Sequence, residues 1–126
     1  MKFEITQSPN SYLILELNKY EKIIIEKGCL IFSDGEYGFK NKIEVKSYKH
    51  IISKIFGGKS LTYNVYTANE EMKMAFSAKD TAEIFSLEIV EQHPILFYAS
   101  QHFARTENIE IKLGGLSQEF LVKAEG

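Results

Sequence analysis

The chain of 126 residues has no tryptophan, only two prolines and three histidines, and a single cysteine. Each scarcity excludes something. With one cysteine, Cys29, there is no internal disulfide framework, and a reducing, cytoplasmic setting is expected. No stretch approaches the roughly 20 consecutive apolar residues needed to span a bilayer. The opening MKFEITQSP lacks the basic-then-apolar order of a secretory leader. A net charge of −2 is too near zero to argue for nucleic acid, and no nucleic-acid partner is expected.

Motifs that carry chemistry are equally scarce. His50, His93 and His102 form no HxH or HxxxH spacing, so no metal and no cofactor is expected. Gly58-Lys59-Ser60 looks like the end of a phosphate-binding loop. Position 53, where its first glycine should stand, is Ser53, and a strand rather than a helix N-terminus follows. Cys29 lies between Gly28 and Leu30 in an apolar strand, a place for a small buried hydrophobe rather than a nucleophile. Asp34, Asp80 and the pair Glu70-Glu71 read as turn residues. His102 alternates with Phe103 and is expected to face outward. None of these groups points to an enzyme.

What the sequence has is strands. Nine phenylalanines and seven tyrosines within a 44% hydrophobic chain favour pleated, half-buried surfaces. Period-two alternation marks KFEITQ, SYLILELN, MKMAFS and NIEIKL, and SLTYNVYT reads as a further strand. EIFSLEIV and PILFYAS read as apolar strands, and IIIEKGCLIFSDGEYGF reads as strand, corner, strand and turn. Some ten short strands in one domain, residues 1–126, predict an all-β sandwich or barrel.

One insert breaks the pattern. Val45, Tyr48, Ile51, Ile52, Ile55 and Phe56 recur at three- and four-residue steps, which predicts a short helix within 46–56. Lysines at 40, 42, 46, 49, 54 and 59 against Glu44 give this insert +5, while the rest of the chain carries −7. Two readings stay open. Lys46, Lys49 and Lys54 hold an anionic membrane surface, or the apolar stripe packs on core or subunit with its lysines in water.

The chain also repeats itself. An offset of 72 carries residues 23–39 onto 95–111, and an offset of 57 carries GGKSLTYNV onto GGLSQEFLV. The repeat units are 23–65 and 95–122, and what the second drops corresponds to the basic insert. Gly28, Gly57-Gly58 and Gly114-Gly115 are expected to be architectural, since glycine reaches backbone conformations that a Cβ forbids.

Through EKIIIEKGCLIFSDGEYGFK, GGKSLTYNVYTANEEMKMAFSA, DTAEIFSLEI and LFYASQHFARTENIEIK followed by GGLSQEFLV, the chain resembles the altered-inheritance-of-mitochondria (mitochondrial biogenesis) family. The resemblance implies an all-β, double-stranded β-helix fold similar to the tryptophan RNA-binding attenuator protein. It implies no enzyme activity, and fold analogy alone transfers no ligand. The chain departs from family members in being shorter, in Ser100 where glycine is usual, and in lacking proline in 77–83. A shorter chain leaves sheet edges to be covered, so a homo-oligomer is expected. The functional expectation is a structural or interaction module, and its alternative is a small-ligand binding protein using a sheet-interior or subunit-interface pocket.

Overall fold

The computed structural model describes residues 1–7, 10–43, 62–78, 83–90, 93, 95–98, 102–114 and 119–124. Eleven strands lie among them: β1 Lys2–Thr6, β2 Tyr12–Leu17, β3 Lys22–Glu26, β4 Leu30–Ser33, β5 Tyr37–Ile43, β6 Thr62–Ala68, β7 Met72–Ser77, β8 Ile95–Tyr98, β9 Ala104–Thr106, β10 Ile109–Gly114 and β11 Glu119–Ala124. The architecture is all-β. The expected helix within 46–56 lies outside the described residues, as do Gly57, Gly58 and Gly115.

All the pairings are antiparallel, in three sheets ordered β1-β2-β7-β4, β5-β6-β3-β9 and β10-β11-β8. The first two pack face to face, and alternation decides what they bury. Leu13, Leu15 and Leu17 of β2 stand opposite Phe76, Met74 and Met72 of β7. Ile23, Ile25, Tyr66 and Ala68 meet them from the second sheet to form the core. Tyr66 and Phe76 touch across the layers, with ring centroids 5.6 Å apart. Burial of each large side chain here is worth about 1.5–3 kcal/mol. Cys29 is in this core too, although it sits just before β4 rather than within a strand.

The chain changes sheets at one end of the sandwich, through the turns 18–21, 34–36 and 69–71. Acids there cap backbone donors. Asp34 Oδ1 accepts from the Lys73 amide at 2.6 Å, and Glu70 Oε2 from the Glu36 amide at 3.3 Å. Tyr20 takes φ 72° while its amide donates to Ala68 O at 2.7 Å. Gly28 takes φ 83°, in the left-handed region where a side chain is strained. A bulge between Leu30 and Phe32 sets β4 against β7.

One expectation needs correcting. The segment 83–90, EIFSLEIV, forms no strand. It runs without a ladder partner among the described residues and is pinned at Ile84, the only fully buried residue in it. The Ser11 hydroxyl donates to Gln7 Oε1 at 2.6 Å, Gln7 Nε2 to Ile84 O at 2.8 Å, and the Ile84 amide to Ser11 Oγ at 3.1 Å. An apolar composition is not sufficient for a strand; it needs a neighbour to hydrogen-bond. The described residues contain no helix long and apolar enough to cross a membrane.

Candidate functional site

The sheet β5-β6-β3-β9 buries both of its faces in part, and the face turned away from the core is where polar groups collect. Strand register fixes its membership. One row across the sheet runs Lys40, Val65, Ile24 and Arg105, and the next runs Lys42, Tyr63 and Glu26. Lys22 belongs to the same face two residues before Ile24 and lies 4.0 Å from Glu107. Four cations (Lys22, Lys40, Lys42 and Arg105) and two acids (Glu26 and Glu107) therefore meet at this face.

Its centre is covered and its rim is open. Tyr63, Ile24 and Arg105 are buried, whereas Lys40 and Lys42 are exposed. His102 stands edge-on to Tyr63 at 4.9 Å between centroids, and the Arg105 guanidinium carbon is 5.6 Å from the Tyr63 ring centre. The Glu26 amide donates to Phe103 O at 2.9 Å, which seats His102 beside β3. Burial, and then the charge of Arg105, push the His102 imidazole from 6.5 down to about 3. It is neutral at physiological pH, and a group so far from neutrality is a poor partner for proton transfer there.

His102 is thus buried rather than outward. Alternation with Phe103 does not apply, because β9 begins only at Ala104. Arg105 and Tyr63 went unnoticed in the sequence, the first because β9 is three residues long. Tyr63 belongs to a strand buried on both faces, where alternation carries no contrast. His93 is exposed, His102 is buried and His50 lies outside the described residues. Lys46, Lys49 and Lys54 also lie outside the described residues. Gly114 ends β10 opposite Glu119 of β11. An open surface depression of about 570 Å³ lies elsewhere, at the sandwich end near Glu16, Asp34, Glu71 and Lys73.

Against known families, residues 3–126 match the model described as mitochondrial biogenesis AIM24. The chain belongs to that family. The family's description names no reaction. No curated protein and no solved structure matches the chain. The narrower likeness to the tryptophan RNA-binding attenuator fold therefore stays an implication of the resemblance.

Proposed function

We propose that this family member is a self-associating structural or interaction module that performs no catalysis, in a cytoplasmic setting. The observation that carries the reading is apolar surface without cover. Phe85 is 76% exposed, Phe39 and Leu87 are each 60% exposed, and Phe3 is 58% exposed. Phe3 and Phe39 lie on β1 and β5, which end their sheets among the described residues. Free edges beside exposed aromatics are what proteins cover by association. Light scattering at micromolar concentration tests this. An oligomer is expected, and a monomer of 14.5 kDa would remove the reading.

A second reading, small-ligand binding, draws support from the buried Tyr63, His102 and Arg105 with Lys40 and Lys42 at the rim. Contact with an anionic membrane through Lys46, Lys49 and Lys54 draws support only from the charge pattern of the insert. Salt-sensitive sedimentation with anionic vesicles would favour it, and none is expected.

A further inference from the structure

The geometry points to a specific contact between two copies of the chain: the outer edge of β5 on one pairs with the segment 83–90 of another. This rests on the proposed self-association and deepens it by naming its surfaces. Both elements are available. Strand β5 ends its sheet, with β6 on one side and no partner on the other among the described residues. Residues 39–42 are exposed on both faces of the strand. Segment 83–90 has no ladder among the described residues either, although its anchor at Ile84 holds it against the fold.

The two also match in pattern. On β5, Lys40 and Lys42 occupy one face and Phe39 and Asn41 the other. On the segment, Ser86 and Glu88 alternate with Phe85, Leu87 and Ile89. An antiparallel register that sets Lys40 opposite Glu88 also sets Lys42 opposite Ser86, Asn41 opposite Leu87 and Phe39 opposite Ile89. Lys40 meets Glu88 on one face, and Phe39 meets Ile89 on the other. A one-residue slip exchanges the faces and destroys both matches at once.

Charge also disfavours pairing β5 with its own kind. Pairing β5 with β5 about a two-fold axis would set lysines against lysines. Like charges directly opposed are destabilising, and opposite charges stabilise. The edge lysines that guard β5 against its own kind therefore admit the acidic segment. The contact joins unlike surfaces, so it is made twice in a two-fold dimer or repeats head-to-tail as a ring or filament.

The test is charge reversal on the full chain, read by light scattering, with thermal melts as the control for folding. Lys40→Glu leaves acid facing acid, and Glu88→Lys leaves lysine facing lysine. Each alone is expected to weaken association about tenfold. Mixing the two variants is expected to restore association, because each presents a surface complementary to the other. The double variant, with the pair swapped, is expected to assemble like the wild type. A wild type that assembles while both reversals keep its mass would overturn these surfaces and leave self-association standing. Reversals that weaken assembly with no recovery on mixing or in the double variant would also overturn them. A monomeric wild type would overturn both proposals.

Discussion

Gly35 and Gly38 stand three residues apart and answer to different constraints. A Cβ built on Gly35 would come 2.7 Å from the Met72 Cβ, while one on Gly38 would meet nothing within 4 Å. Gly35→Ala should therefore cost about 1–3 kcal/mol through overpacking against β7. Gly38→Ala should be neutral or stabilise by up to about 1 kcal/mol through a less flexible unfolded chain. Paired urea melts read both. His102 supplies a pH dependence. Its folded value near 3 lies below the ordinary 6.5, so between these pH values the unfolded chain binds a proton that the folded one refuses. Stability is lost as pH falls from about 6.5 toward 3, by about 5 kcal/mol in all. His102→Leu should flatten that part of the acid-unfolding curve, and an unchanged curve would place the imidazole in water. The burial that produces this shift was not legible in the sequence, where His102 had only its neighbour Phe103 to define a face. Cys29, flanked by apolar residues, was legible as buried.

Elements were easier to read than their partners. Alternating leucines in β2 and Met72, Met74 and Phe76 in β7 announced strands and faces, and those side chains are the core. The segment 83–90 carries as many apolar residues but has no ladder partner among the described residues, which no local pattern reports. Its position depends on Ser11, which is 4% exposed and bonded to both Gln7 and Ile84. Ser11→Ala removes the acceptor of a buried amide and should cost about 1–3 kcal/mol. Raised protease cleavage within 83–90 would accompany the loss, and an unchanged cleavage pattern would detach the segment from that network. The proposed duplication bears on the same scale. Strands β5-β6-β3 and β10-β11-β8 follow one order, as two related units would. Yet offsets of 72 and 57 carry the pair Ile24–Val65 onto Leu96–Val122, whereas Val122 stands opposite Ile95. A duplication therefore requires one of the offsets to shorten by a residue, a slip that glycine and apolar matching alone does not detect.

At the scale of the whole molecule, the sandwich buries one good core and leaves aromatic side chains at its margins. Phe39 belongs to an edge strand, and Phe85 and Leu87 follow a residue locked in the core, so none can withdraw without disturbing the fold. We propose that a second chain covers these side chains. The sequence held the charges and the alternation that make such a contact specific, but not which strand ends a sheet, because edges belong to topology. A native mass spectrum of freshly purified protein tests the claim most directly, since it reports subunit number and retained ligand together. The expected result is a multiple of the 14.5 kDa chain mass with nothing added. A single chain, alone or carrying a small molecule, would contradict it.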